Sequence, residues 1–324
     1  MADAIVLRET GGPEVLKVEP VDVGPPGPGE VRLRQTAVGV NFHDCYVRSG
    51  LYKTLKLPGI PGLEAAGIVD AIGPDVTGFR AGDRVAYFTA AYGGYASERI
   101  ARAADLVRLP ETIDDRTAAS VMVKGLTAHM LLHRVHPIVE GNRILVHAAV
   151  GGVGILLCQW ASRLGAEVIG TVGSREKAAI ARRNGCHHVI LYREEDFVAR
   201  VREITGGRGV DVAYDSVGKD TFLGSLDCLG RLGHLVNFGQ SSGPVAPFEV
   251  SRLSARSTSV TRPMLFHHTT ETATRDRMAG TLFSALADGT IRAGTPETLP
   301  LAEAAAAHRR LEQRRTSGAL VLVP

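Results

Sequence analysis

Apolar and polar positions follow two different rhythms along this chain. Up to about residue 120 the apolar runs are short and closely spaced. Ala4-Ile5-Val6-Leu7 and Leu16-Lys17-Val18 flank a turn at Gly11-Gly12-Pro13, and Pro25-Pro26-Gly27-Pro28-Gly29 reads as a loop. Val31-Arg32-Leu33-Arg34 alternates as a half-buried strand does. Gly67-Ile68-Val69, Ala71-Ile72 and Arg84-Val85-Ala86-Tyr87 continue the pattern, with breaks at Gly73-Pro74 and Ala81-Gly82-Asp83. Such spacing predicts a compact, β-rich, barrel-like domain. After Leu109-Pro110 the rhythm changes. Residues 114–134 read as helical, and from 143 onward strands alternate with helices as far as Val260-Thr261. That alternation predicts a parallel sheet with right-handed crossovers. A helix follows from about Glu271 to Ala287, and Ala319–Val323 reads as a strand. The expected class is α/β: a doubly wound domain over 124–263, inserted between two parts, 1–123 and 264–324, of a β-rich domain.

The most informative stretch runs from Arg143 to Gly173. The apolar run Ile144-Leu145-Val146 leads into the turn Ala149-Val150-Gly151-Gly152-Val153-Gly154, then into an apolar segment of helical spacing ended by Gly165. Val168-Ile169 opens the next strand. This is the strand, glycine turn, helix and strand of a dinucleotide-binding βαβ unit. Ala149 sits at the sharp exit from the strand. Gly151 leaves room for a pyrophosphate against the backbone, and Gly154 lets the helix pack close to the sheet. Free N–H groups at the helix start then face the phosphates, favoured by the helix dipole.

The second strand bears on which dinucleotide. An NAD-preferring fold carries Asp or Glu about 20 residues past the turn, to hold the ribose 2′-hydroxyl. Here that place is Thr171-Val172-Gly173-Ser174, with no acid. Ser174 reads as a helix N-cap, with Arg175 and Lys177 just beyond. Lys177 and Ser174 suit a 2′-phosphate, which an acid would repel. The expected cofactor is NADPH.

Composition narrows the class. The chain has 324 residues, 44% of them hydrophobic, which suits two ordinary domains and argues against disorder. Lys+Arg 37 against Asp+Glu 34 is too balanced to imply nucleic acid. No transmembrane run or signal-peptide pattern is present. Cys45, Cys158, Cys186 and Cys228 are scattered without a C-x-x-C, which predicts reduced thiols and a cytoplasmic protein.

Many short segments in fixed order carry a family resemblance. They include Gly11–Leu16, Val40-Asn41-Phe42-His43-Asp44, Arg48–Tyr52, Pro61-Gly62-Leu63-Glu64-Ala65-Ala66-Gly67, Ala81–Val85, Gly93-Gly94-Tyr95-Ala96, Lys124–Ala128, Tyr192–Asp196 and Asp215-Ser216-Val217-Gly218. On these residues the chain resembles the medium-chain dehydrogenase/reductase superfamily, and within it the zinc-free, zeta-crystallin-like quinone oxidoreductases. The resemblance spans essentially the whole chain and implies a GroES-like catalytic domain, a Rossmann domain and a homodimer. In the zinc-dependent relatives a Cys stands where this chain has Asn41, and a His where it has Leu63. Neither Asn nor Leu replaces those ligands, so no metal is expected. The histidines at 43, 129, 133, 136, 147, 187, 188, 267 and 268 show no ligand spacing with a carboxylate partner and read as surface or structural.

Without a Lewis acid, the expected substrate is an easily reduced acceptor, a quinone or an α,β-unsaturated carbonyl. The resemblance places Asn41, Phe42, Asp44, Tyr46 and Tyr52 along a cleft near the nicotinamide. Asn41, Tyr46 and Tyr52 are the candidate catalytic residues, as hydrogen-bond donors or stacking surfaces. Asp44 is expected to orient a neighbour. The resemblance also assigns cofactor contacts to Met130, Gly151, Gly152, Val153, Gly173, Ser174, Lys177, Tyr192, Ser216, Val217, Phe238, Gly239, Ser241 and Arg314. The leading expectation is an NADPH-dependent quinone oxidoreductase, with an alkenal or enoyl reductase as the alternative. A third reading is an NADPH-regulated RNA-associated protein, which the charge balance disfavours.

Overall fold

A computed structural model describes residues 1–313, 316 and 318–324. The chain divides into two compact units. One comprises Met1–Lys124, Thr269–Ala287 and Ala293–Pro324, the other Gly125–His268 and Asp288–Arg292.

The first unit is built on a seven-stranded sheet. Its path runs Glu297–Pro300, Leu320–Val323, Glu30–Val40, Glu64–Ile72, Arg84–Phe88 and Leu106–Arg108, with Glu98–Arg102 also paired to Glu30–Val40. The C-terminal strand joins antiparallel, Leu320 opposite Val40 and Leu322 opposite Val38. The alternation read at Val31 and Leu33 is the inward face of an 11-residue strand, and both side chains are fully buried. Two register shifts, at Arg32/Leu33 and Gln35/Ala37, bend this strand against its neighbour. Gly67–Val69 and Ala71–Ile72 belong to one strand, Glu64–Ile72. Ala2–Val6 and Lys17–Val21 form a separate antiparallel ribbon.

The second unit holds a six-stranded sheet, every pair parallel. In sheet order the strands are His188–Leu191, Glu167–Val172, Arg143–Val146, Val210–Asp215, Leu229–Asn237 and Ser259–Thr261. The chain starts at Arg143–Val146, builds outward to one edge, then crosses to Val210–Asp215 and builds to the other. That reversal is the switch point at which doubly wound sheets open a crevice beyond the carboxyl ends of their strands. The helix predicted over 114–134 is α-helical from Asp115 to Met130 and continues as a π turn, Leu131–Val135. Among the described residues no helix is long and apolar enough to cross a membrane. All four cysteines are free and buried.

Candidate active site

In the second unit, most sequence-predicted cofactor residues collect at the carboxyl ends of the parallel strands. Gly151 is the N-cap of the helix Gly152–Arg163, whose first turn carries no acid. Gly151, Gly152 and Val153 are half-buried, whereas Gly154 is buried. A Cβ on Gly154 would stand 2.2 Å from the Ala148 carbonyl oxygen, so only glycine permits this approach of helix to turn. The next strand ends at Gly173-Ser174. Ser174 caps the helix Arg175–Arg183, its hydroxyl accepting from the Lys177 N–H at 3.3 Å. Tyr192, from the neighbouring strand end, lies over Gly173 so closely that a Cβ there would meet its hydroxyl at 2.7 Å. Arg175 is committed to Glu194 at 3.0 Å on the surface. An exposed acid, Glu176, hydrogen-bonds to Ser174, which lowers its pKa.

Beyond the switch point, Ser216-Val217 and Phe238–Ser241 meet. Ser241 N–H donates to the Ser216 carbonyl at 3.2 Å, Phe238 N–H to that of Asp215 at 2.9 Å, and a Cβ on Gly239 would press on the Ser216 backbone at 2.6 Å. Phe238 is half-buried, so it is not simply core. Buried Asp215 fixes this corner, its Oδ1 accepting from the N–H groups of Val217 (2.7 Å) and Gly218 (3.0 Å). Met130 is buried, 1% exposed. Arg314 lies outside the described residues.

These residues fit a phosphorylated dinucleotide. They offer a twelve-residue helix whose start is open and acid-free, glycine where the backbone must be approached, and a serine-lysine pair at the end of the second strand.

In the first unit the candidate catalytic segment is a short helix, Phe42–Arg48, that sequence periodicity did not reveal. Its signal was the Asn41-x-x-Asp44 spacing. The Asp44 carboxylate reaches back to accept from the Asn41 N–H at 2.8 Å, one half of a capping box. The Asn41 side chain points elsewhere: its Nδ2 donates to Glu64 Oε1 at 2.9 Å. Glu64, fully buried, also accepts from Lys124 Nζ at 2.7 Å and from the Val123 N–H at 2.6 Å. The carboxylate is thus neutralised by an ammonium and held by two further donors. Among the described residues no group of three His, Cys, Asp or Glu side chains is placed to hold a metal ion.

Asp44 is fully buried and lies behind Asn41. Besides the Asn41 N–H it accepts from the Tyr95 hydroxyl at 3.1 Å, while its other oxygen has no partner. Burial raises its pKa to about 7, so it is poised to titrate as well as to orient a neighbour. The chain of contacts continues inward. Tyr95 Oη lies 2.9 Å from His308 Nε2, and His308 Nδ1 lies 3.5 Å from the Arg48 guanidinium, which pairs with Glu312 at 2.5 Å. Arg48 can only donate, so His308 carries its proton on Nε2 and gives it to Tyr95, which donates to Asp44. Burial and Arg48 keep that imidazole neutral, with a pKa lowered to about 3. Sequence reasoning named neither His308 nor the Glu64–Lys124 pair as part of the site.

An aromatic group flanks the helix. Tyr46 and Tyr52 meet edge to face with centroids 5.1 Å apart, and Phe42 is tilted against Tyr46 at 6.2 Å. His43 lies 5.2 Å from the Tyr52 ring, and its Nε2 is 2.9 Å from the hydroxyl of Tyr92. Burial lowers the pKa of His43 to about 4, so it is neutral at pH 7. Tyr46 and Tyr52 are half-buried.

Known proteins match this chain throughout. Residues 27–111 match the family described as alcohol dehydrogenase GroES-like domain, and residues 152–279 that described as zinc-binding dehydrogenase. The quinone oxidoreductase of Pseudomonas aeruginosa is 46% identical over 325 residues, covering 100% of both chains. A 2-haloacrylate reductase of a Burkholderia species is 45% identical over 331 residues, covering 100% of this chain and 99% of its own. The crystal structure of Escherichia coli quinone oxidoreductase complexed with NADPH superposes with a TM-score of 0.97 at 43% identity, covering 99% of this chain and 100% of the other.

Two outcomes test the buried network. Lys124→Met leaves Glu64 charged and uncompensated, and is expected to destabilise the protein by about 3–5 kcal/mol in chemical denaturation. Adding Glu64→Gln should recover part of that loss, and equal stability of Lys124→Met and the unsubstituted protein would refute the assignment. Asp44, with its pKa raised on folding, stabilises the native state at low pH and loses that contribution as pH rises from about 4 through 7. Asp44→Asn should therefore gain in Tm relative to the unsubstituted protein across that window. A pH-independent offset between the two would contradict it.

Proposed function

The chain belongs to the quinone oxidoreductase branch of the medium-chain dehydrogenase/reductase superfamily, and from that premise we propose that it reduces a quinone with NADPH and without a metal. The observation that carries this reading is the saturation of Glu64. Its carboxylate is held by Lys124, Asn41 and the Val123 N–H, and the neighbouring positions are Asn41 and Leu63 in place of thiolate and imidazole. A Lewis acid has no ligand set there, so the acceptor must take up negative charge without a metal, as a quinone does.

NADPH supplies a hydride equivalent when bound. Gly151, Gly152 and Val153 hold the pyrophosphate on the helix N-terminus. Ser174 and Lys177 hold the 2′-phosphate, with Gly173 and Tyr192 beside the adenosine. Ser216, Val217, Phe238, Gly239 and Ser241 border the remainder. In the first unit, Asn41 is fixed by Glu64 and Asp44 and offers an amide to the acceptor oxygen. Phe42, Tyr46 and Tyr52 offer ring faces to a flat acceptor, and the two tyrosines offer hydroxyl donors to the oxygen that gains charge. Asp44 positions Asn41 from behind. The protein acts as a cytoplasmic homodimer on a small molecule, a reading supported by four reduced thiols and the family resemblance.

The likeness to a 2-haloacrylate reductase favours a second reading, reduction of an activated carbon–carbon double bond by the same residues. Steady-state kinetics with 1,4-benzoquinone, 1,2-naphthoquinone, 2-alkenals and 2-haloacrylates separate the two. The first reading expects quinones to give the highest kcat/KM with NADPH, and preference for the alkenes would replace it with the second. Lys177→Ala is expected to raise the KM for NADPH about ten-fold, equivalent to ~1.4 kcal/mol, while leaving that for NADH nearly unchanged. Equal effects on both cofactors would remove Lys177 from the 2′-phosphate.

A further inference from the structure

Away from these residues, on the second unit, two histidines stand one helical turn apart, each with one buried nitrogen that lacks a hydrogen-bond partner. His129 is the penultimate residue of the α-helix Asp115–Met130, and His133 sits in the π turn Leu131–Val135 that follows. Residues four apart share a helix face, and their rings lie 4.6 Å apart between centroids, tilted by 43°. His129 Nδ1 and His133 Nε2 are both shielded from solvent, and neither has a hydrogen-bond partner. Buried polar atoms are rarely left so, and two orphaned nitrogens on adjacent rings point to a missing shared ligand. Burial keeps both rings in the neutral form that ligates metals, with the pKa of His129 lowered to about 4. The nearest cation, Arg134, turns its guanidinium toward His268, 3.4 Å away.

We propose that His129 and His133 form a two-imidazole site for a divalent late first-row transition metal, with Cu²⁺ the tightest. Two nitrogen donors at about 2.0–2.1 Å from one ion complete both orphaned atoms at once. Imidazole suits copper, nickel and zinc, and the affinity order favours Cu²⁺. The absence of a carboxylate in the group sets it apart from catalytic centres and suits occupancy that follows metal supply. A second histidine pair offers a contrast. His136 and His234 face each other with Nδ1 atoms 3.4 Å apart, and His234 Nε2 bonds Thr261 Oγ1 at 2.7 Å, so those rings already satisfy one another.

The chain carries its own reporter. Its single tryptophan, Trp160, meets the His129 ring edge to face at 5.6 Å and the His133 ring at 5.3 Å. Cu²⁺ bound between them quenches Trp160 emission, and Zn²⁺, having no redox chemistry, displaces it without quenching. Titration of the full-length protein with CuSO₄ is expected to quench Trp160 saturably at one equivalent and to recover emission on addition of excess ZnSO₄. Electron paramagnetic resonance of the Cu²⁺ form should show coupling to two nitrogens. His129→Gln and His133→Gln should each lose the saturable phase, whereas His234→Gln should retain it. Quenching that rises without saturation, or a copper spectrum without nitrogen coupling, overturns the proposal on the unsubstituted protein alone. Saturable quenching that survives in both His129→Gln and His133→Gln overturns it too.

Discussion

One buried carboxylate organises the first unit. Glu64 opens the strand Glu64–Ile72 with no exposure, and its charge is tolerable only because three donors from two separate segments converge on it. Lys124 and the Val123 N–H come from the helix Asp115–Met130, and Asn41 from the cap of Phe42–Arg48. Removing any one leaves a charge short of partners in a low-dielectric interior, so strand, helix and cap are obliged to stay in register. Space is as constrained as charge. A Cβ on Gly39, in the adjoining strand, would lie 2.3 Å from the Glu64 carboxylate and 2.2 Å from the Ala119 carbonyl oxygen. Only glycine lets that helix reach the sheet at the height where Lys124 meets Glu64. A catalytic role for Asn41 therefore rests on an arrangement whose immediate purpose is to keep one charge satisfied.

How much of this could be read beforehand depends on the range of the contacts. The parallel sheet was legible because its signals are local. Apolar runs, a glycine turn and helical spacing all fall within Arg143–Gly173, and strand order follows from short right-handed connections. The residues clustered at the strand ends were legible for the same reason: each follows its strand directly. The first unit was harder. Its long strand Glu30–Val40 changes from alternating to continuous burial after Ala37, where the sheet is covered on both faces, and periodicity fades with it. The helix Phe42–Arg48 has seven residues, too few for an amphipathic stripe to show, and only its cap was visible.

Least legible were polar partners far apart in sequence. Tyr95, His308 and Glu312 join Asp44 and Arg48 only once the C-terminal segment packs against the short helix. No spacing rule links residues more than 200 positions apart, and a histidine in an alanine-rich helix reads locally as a surface residue. The structure reveals the opposite, a fully buried imidazole held between a donor and an acceptor. Directional bonding, rather than charge, makes that burial possible: the ring stays neutral and both nitrogens have partners.

The same distinction explains why Asp44 stands near neutrality while Glu64, equally buried, is paired. The cation nearest to both is Lys124, and it is spent on Glu64 at 2.7 Å. At Asp44 the fields of Glu64 and Lys124 act in opposite senses, so the pair offers little net electrostatic support. Desolvation then dominates, opposed only by the Asn41 N–H and the Tyr95 hydroxyl, and the carboxyl group rises toward neutrality. Placing one ion pair beside a second, unpaired acid thus yields two carboxylates with different duties: one held in an ion pair with Lys124, the other able to change protonation behind the amide of Asn41. That division needs no metal and no further charged residue, and it follows from where a single lysine was placed.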